Sequence, residues 1–579
     1  MPRLSDDTLK RRPSYNERVE LIRHDEYPSL KNAIYLDHAG STLFARSTIQ
    51  SYAQDLQANL YGNPHSDNTP SRVSGARVDA IRVQLLRFFG ASPDDFDLVF
   101  TANATASIKL VGECMSHYTR SGRASSSSKR RGYHYVYHQD SHTSLVGLRE
   151  IATGGSMCLL GDAAVENWID QHGGHRSKTV TLFAYPGQSN MTGRRTPRSW
   201  SRRIRRSHKD TYILFDAAAL ASTSPLDLCD TESAPDFTAV SLYKIFGYPD
   251  VGCLIVRKAA AKVLQQRRYF GGGTVDMVIN SPSARISSWH ATKTESIHEA
   301  LEDGTLNFHS IAAIPHAIET QSRLFNSMSD VSSHCAFLIA QLYRHLTSLR
   351  HSNNAPVCRI YTGSQHHGFG DPSVQGPTIA LSVLGPSGNI HGYTDVEREA
   401  DKKQIYLRSG SVCNPGGMAY LGWARMEDMK AAWHAGHRCS DPIQEVYGQT
   451  TGIVRVSLGA MSTKADINGF IEWLSRKYID RDISPSRSGT TGGSECSLKA
   501  AKAMERARYL SGGSRWASTT MSSSHYNWID GAERLEKYEP GGYHPIMIGD
   551  TLHDRYAIVD KLGFGGYSPE TGELATRPA

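Results

Sequence analysis

Cysteine is scarce and unpaired in this 579-residue chain: nine residues, at 114, 158, 229, 253, 335, 358, 413, 439 and 496, with no CxxC pair and no regular spacing. That pattern excludes a disulfide-built secreted scaffold and weakens any cysteine metal cage, so no metal is expected. Long apolar runs are lacking too. None reaches the ~18 residues a membrane span needs. The N-terminal "MPRLSDDTLKRRPSYNERVELIRHDEYP" mixes both charge signs without an apolar segment, unlike a signal or transit peptide. No membrane partner is expected, and the expected setting is a reducing cytoplasm. Nor does one sign of charge dominate, since 64 basic and 57 acidic residues leave a net charge of +7. Much of the surplus sits in "RRTPRSWSRRIRRSHK" (194–209), whose seven arginines come without an aromatic platform. That run reads as the solvated face of a helix, and no nucleic-acid partner is expected.

What is present is alternation. From residue 33 to about 330, short β-rich runs alternate with helical patterns: "AIYLDHAG", "DLVFTANAT", "YHYVYHQDSH", "TVTLFAYPGQSN", "TYILFDAAA", "FTAVSLYK" and "GCLIVRK". The alternation predicts an α/β fold, a large domain over 33–330 with a mostly parallel mixed sheet. Residues 331–480 carry the strands "TIALSVLG" and "GIVRVSLG" and the helices "TDVEREADKKQ" and "TKADINGFIEWLSRKY", a smaller α+β domain. Residues 1–32 form an N-terminal segment. Two Ser/Gly-rich basic stretches break the order. "RSGRASSSSKRRG" (120–132) reads as a surface loop, and "SPSRSGTTGGSECS" (484–497) opens a low-complexity linker over 481–534.

Polar residues cluster at the predicted strand ends, where open α/β sheets bind ligands. "TANATASI" supplies small residues at a strand-to-helix turn, suited to a phosphate on backbone N–H groups. His142 in "DSHTS" is either a hydrogen-bonded structural histidine or a ring that stacks on a planar cofactor. Asp216 in "FDAAA" either caps the next helix or holds a protonated ring nitrogen. Lys244 in "SLYK" is either a snorkelling surface lysine or a desolvated Schiff-base nucleophile. Cys413 in "LRSGSVCNPGG" is either a small buried hydrophobe or a thiolate carried on a glycine-freed loop. Arg408 either depresses that thiol's pKa or clamps a substrate carboxylate.

The order phosphate loop, histidine, "SN" pair, aspartate, lysine resembles fold-type I enzymes of pyridoxal 5'-phosphate (PLP), in the aminotransferase class V and cysteine desulfurase group. "YGNPHS", "PGQSNMTGRR", "SLYKIFGYPDVGCLIV", "YFGGGTVDM", "LEDGTLNFHSIAAI" and "LRSGSVCNPGG" are more narrowly similar to the N-terminal domain of the molybdenum cofactor sulfurases, over about residues 30–480. The resemblance implies Lys244 as the PLP lysine, Asp216 at the pyridine nitrogen and His142 over the ring. It implies Ala104, Thr105 and Ser241 around the phosphate, Asn190 near the ring hydroxyl, and Gly273 and Thr274 reaching the phosphate of a partner subunit in a homodimer. Desulfurases outside the family often carry glutamine or histidine three places after the aspartate, where Ala219 stands here. The implied activity is persulfide formation on Cys413 from L-cysteine, with alanine released. The implied acceptor is the molybdenum cofactor, or a protein bearing it of the xanthine dehydrogenase or aldehyde oxidase type. A stand-alone desulfurase, a class V aminotransferase and a PLP-binding protein without turnover remain alternatives.

At 535–579 the chain instead resembles the start of an SR-protein-type kinase domain, with "LGFGGYS" as its glycine loop and Ser568 in place of the third glycine. This stands where a full-length sulfurase would continue into its cofactor-binding (MOSC) module. Eleven residues follow Ser568, so no kinase activity is expected from them. A genuine fusion and the joining of two neighbouring gene fragments both remain open.

Overall fold

Six of the strand runs expected from the sequence enter one seven-stranded sheet. The structure, a computed structural model, describes residues 13–120, 132–171, 179–280, 289–362 and 368–482, together with three two-residue strands between 551 and 578. The sheet strands are β1 (Phe96–Thr101), β2 (His134–His138), β3 (Ser156–Leu159), β4 (Thr181–Pro186), β5 (Thr211–Asp216), β6 (Phe237–Ser241) and β7 (Gly252–Arg257). Their order is β1-β7-β6-β5-β4-β2-β3. β2 to β6 pair in parallel, while β7 runs antiparallel to both β6 and β1. The reversal has a plain cause. Only residues 242–251 join β6 to β7, and a parallel return needs a crossover of a dozen or more. Helices cover both faces. The 17-residue helix α1 (Ala104–Arg120) seats Val111 and Met115 on one face with Tyr135 and Leu254, while Ile81, Phe89, Phe183 and Trp200 fill the other. This mixed, mostly parallel sheet between helices is the α/β architecture of the fold-type I PLP enzymes.

A second, antiparallel sheet contains β8 (Cys358–Tyr361), β9 (Thr378–Val383), β10 (Arg408–Gly410) and β11 (Ile453–Ser457), in the order β8-β9-β11-β10. Leu338 and Leu342 of α2 (Met328–Ser348), Val396 of α3 (Tyr393–Asp401) and Phe470 of α4 (Lys464–Tyr478) pack on it. Thr463 and Asp466 form a capping box at the start of α4. Asp466 also takes both Arg23 nitrogens at 2.6 Å, tying the helix Arg18–Glu26 down. Ile34–Tyr35 pairs in parallel with Ile405–Tyr406, and Leu36 enters this sheet's core. The first predicted strand therefore runs beside the second sheet rather than in the large one.

The arginine-rich run is solvated only in part: Arg202 and Arg206 are exposed, while the others find partners. Arg194 holds Asp162, Arg203 bridges Glu166 and Asp170, and Arg205 reaches Asp236 at 3.2 Å. Arg195 is buried, donating to Gln188 at 2.9 Å, and Trp200 and Ile204 of the helix Ser199–Ser207 face the core. Among the described residues no helix is long and apolar enough to cross a membrane.

Residues 1–501 form one compact unit and 502–579 a second. In the second, Thr551–Leu552, Tyr556–Ala557 and Arg577–Pro578 pair antiparallel. The basic stretch at 121–131, the linker from 484 and the glycine-loop resemblance at 562–568 lie outside the described residues.

Candidate active site

The carboxyl ends of β1, β2, β4, β5 and β6 open onto one cavity. It brings together seven residues singled out from the sequence: Ala104, Thr105, His142, Asn190, Asp216, Ser241 and Lys244. Ala219 lines it as well.

One end suits a phosphate. The N-terminus of α1 points its first turn at the cavity, with Asn103 accepting from the Ala106 N–H (3.0 Å) and Ser241 Oγ from the Ala104 N–H (3.0 Å). Thr105 Oγ1 shares a hydrogen with Ser144 Oγ at 2.8 Å. Gly252 lets β7 press on this turn: a Cβ there would stand 2.5 Å from Asn103 Cα.

The other end suits a cationic ring nitrogen and an amine. Asp216, 8% exposed, accepts from the Ala218 N–H at 3.0 Å, which fixes its carboxylate. Burial lowers the Lys244 pKa below the ordinary lysine value, with Asp216 opposing the shift, so a neutral amine is reached at lower pH than in a free lysine. Burial likewise lowers the His142 pKa. Its Nδ1 accepts from the Ser144 N–H at 3.1 Å, which assigns the proton to Nε2. A neutral imidazole there can lie against an aromatic ring without adding charge.

Arg455 was not among the residues singled out. It sits mid-β11, 1% exposed, donating to Asn190 O at 2.9 Å and to Asp37 Oδ1 at 2.5 Å, while its buried Nε has no partner. The available signal was a charge centred in the apolar run "GIVRVSLG". Arg408 of β10 is its cross-strand register partner. Like charges placed directly opposite are unfavourable. Asp37 balances Arg455, and no carboxylate among the described residues pairs with Arg408. The two guanidiniums are thus arranged for an anion.

Cys413 and Arg408 line a neighbouring cavity. The cysteine loop is fastened to the first cavity. Thr143 N–H donates to Cys413 O (3.0 Å), Asn190 Nδ2 to Val412 O (2.6 Å), and buried Asn414 donates to Asp140 (2.6 Å) and Asn190 (3.1 Å). The glycines do not free the loop as expected. Gly416 and Gly417 permit close packing, since a Cβ would collide with the Gln139 carbonyl and with the Met191 sulfur. Val412 and Cys413 hold φ of 47° and 55°, a left-handed conformation that is strained for a β-branched residue. Val412 is also buried. Val412→Ala keeps the strain and loses packing, an expected cost of about 1–3 kcal/mol. Val412→Gly relieves the strain. The glycine variant should match or exceed the alanine variant in urea midpoint, reversing the usual order by which glycine loses about 0.5–1 kcal/mol to alanine.

Gly273 and Thr274 lie away from this chain's cavity. Thr274 is fully buried and its hydroxyl donates to Gly271 O at 2.9 Å, while Gly273 faces His65. Among the described residues no group of His, Cys, Asp and Glu could hold a metal ion.

These features define a cavity built for a planar anionic cofactor on a fold-type I scaffold. The aminotransferase class-V family model matches residues 34–426, and the chain belongs to that family. Family membership indicates PLP as the cofactor, and the helix N-terminus, fixed carboxylate and desolvated lysine fit that group. The chain is 51% identical over 468 residues to a molybdenum cofactor sulfurase of Aspergillus niger, covering 81% of this chain and 55% of the relative. It is 49% identical over 481 residues to one of Aspergillus fumigatus, covering 82% and 55%. The chain thus spans about half the length of the curated relatives it matches. A cysteine desulfurase from Thermococcus onnurineus has the same fold at TM-score 0.60 and 19% identity, covering 80% of this chain and 99% of that one. The Escherichia coli cysteine desulfurase CsdA follows at TM-score 0.58 and 18% identity, covering 80% and 98%.

Proposed function

We propose that the chain is a PLP-dependent sulfurtransferase that takes sulfur from L-cysteine onto Cys413, as the first half of molybdenum cofactor sulfuration. The observation that carries the reading is the hydrogen-bonded seam between the two cavities, which holds Cys413 beside His142 and Asn190. Bound PLP would supply an electron sink for the pair left when the substrate Cα gives up its proton. Lys244 is placed to anchor that group through its amine, and its lowered pKa suits it to carry the Cα proton. Asp216 would hold the ring nitrogen in its charged form. The N-terminus of α1, Thr105 and Ser241 would receive the phosphate, and Asn190 the ring hydroxyl. Arg408 and Arg455 would receive the substrate carboxylate, the second of the two roles open to Arg408. The Cys413 thiolate attacks the substrate sulfur; the C–S bond breaks toward carbon, which takes a proton to become alanine. Cys413 is left with a persulfide.

The test is alanine formation from L-cysteine by the full chain with added PLP, joined to detection of added sulfur on Cys413. Absence of both would defeat the reading. Arg455→Lys keeps a charge but not the planar fork. It is expected to lose about 1.5–3 kcal/mol of substrate binding, roughly ten- to a hundredfold in KM with kcat largely retained, which steady-state kinetics would read.

Four finer points belong to the proposal. The large domain would span residues 33–330 and the smaller one 331–480, a division that the separate second sheet and the end of α4 at Tyr478 support. A second copy of the chain would cover the hairpin Val275–Val278 with His290–Thr292, where Met277 is 64% and Trp289 54% exposed, and would bring Gly273 and Thr274 toward the partner's cavity. The physiological acceptor is the molybdenum cofactor, free or on a separate protein. The site works in the cytoplasm, consistent with all eight described cysteines being free thiols.

A further inference from the structure

Two cysteines, not one, line the cavity beside the PLP site. Cys439 shares it with Cys413, and no other cysteine lines either cavity. Cys413 is half-buried, whereas Cys439 is exposed. Arg408, Glu397, His437 and Arg438 line the same space, and Glu397 accepts from the Ser409 hydroxyl. The loop bearing Cys439 is fixed: Arg438 N–H donates to Asp441 O at 3.1 Å, and Ile443 N–H to His437 Nδ1 at 3.1 Å. Arg438 lies over the exposed Trp433 ring at 4.5 Å, beside the cavity mouth. The six other described cysteines are poor candidates. Burial pushes Cys114, Cys253, Cys335 and Cys358 up to about 12, burial also raises Cys158, and a hydrogen bond with Asp227 raises Cys229.

We propose that Cys439 is a second sulfur carrier, receiving the persulfide sulfur of Cys413 inside the shared cavity and presenting it at the surface. The step rests on the persulfide chemistry proposed for Cys413. The Cys439 thiolate attacks the outer sulfur, the S–S bond to Cys413 breaks, and Cys413 departs as a thiolate that takes up the proton Cys439 gave up. One S–S bond forms as one breaks, so no oxidant or reductant is consumed. The division of labour is physical. Cys413 is tethered beside the cofactor cavity by its own carbonyl and is half-buried, whereas Cys439 is exposed.

Two measurements test this on the full chain. Without cofactor, dibromobimane, which fluoresces when it bridges two thiols, should join the peptides containing Cys413 and Cys439. Cys439→Ser should abolish that adduct, and failure of the unsubstituted chain to form it overturns the proposal. With PLP and L-cysteine, alkylation at successive times followed by peptide mass mapping should find added sulfur first on Cys413, then on Cys439. Cys413→Ala should leave both bare, and Cys439→Ser should keep sulfur on Cys413 with unchanged first-turnover alanine. Sulfur on Cys413 that never reaches Cys439, or sulfur on Cys439 in Cys413→Ala, overturns the relay alone. No sulfur on Cys413 overturns the relay together with the reading beneath it.

Discussion

Lys244→Ala is expected to lower alanine release from L-cysteine by at least about 10²–10⁴-fold, the usual worth of a positioned proton carrier, and to remove the covalent attachment of PLP as well. The absorbance of the PLP-loaded protein is the second readout: borohydride should fix the chromophore to the unsubstituted chain and wash out of the variant. A chromophore fixed equally in both would place the anchoring amine elsewhere. The same residue makes an opposite prediction for stability without cofactor. Its folded-state pKa is lowered below the ordinary 10.5 by burial, so between the two values the unfolded chain binds more protons. Stability then rises with pH across that window. The cost of the buried ammonium is fully present below the folded value and gone above the unfolded one. Lys244→Met, which keeps the stem and drops the charge, should therefore raise the melting temperature of the PLP-free protein near pH 7, and that gain should vanish above the ordinary lysine value. A variant that melts lower at pH 7 would show that Lys244 sits charged and well paired.

The coupling between these outcomes explains why the site was legible before the fold was. A lysine, an aspartate and a histidine at the ends of three apolar runs each have ordinary structural uses, and each run alone predicts only a buried strand. What distinguishes them is order along the chain, because in a parallel sheet successive carboxyl ends share one edge. Ala104, His142, Asn190, Asp216 and Lys244 lie far apart in sequence yet line one cavity. The strands read the same way: "TLFAYP" and "FTAVS" are buried throughout, so their continuous apolar character is the signal.

What escaped the sequence escaped for definable reasons. β3 is short and lies at the sheet edge with Ser156, Met157 and Cys158 exposed, so neither periodicity nor hydrophobicity marks it. The reversal of β7 was latent in the short 242–251 connection, but βαβ alternation argues for parallel strands and hides it. Arg455 acts through a cross-strand register with Arg408, and Asp37 approaches it from 418 positions away; register cannot be read without knowing which strands pair. Glycine content at 410, 416 and 417 suggested freedom. The structure shows that two of the three exist for close approach, a distinction that depends on what faces each Cα.

Cys413→Ala is expected to stop persulfide formation completely while leaving the PLP site intact, since Cys413 lines the adjoining cavity and none of the phosphate, ring or lysine contacts involve its side chain. The loop should survive the change. Its anchors are the Val412 and Cys413 carbonyls and the Asn414 amide, all independent of the thiol. Normal PLP absorbance and an unchanged melting temperature should therefore accompany the loss, which separates a missing nucleophile from a damaged site. Alanine release should fall by several orders of magnitude, because the thiolate is the group that breaks the C–S bond and a methyl side chain offers no substitute. Cys413→Ser tests the same point from the other side. It restores the volume and a polar atom, yet a hydroxyl cannot hold sulfur as a persulfide, so it should be as inactive as alanine. If either variant released alanine at the unsubstituted rate, the sulfur would be leaving without Cys413, and the chain would act as a lyase on cysteine instead of a carrier of its sulfur.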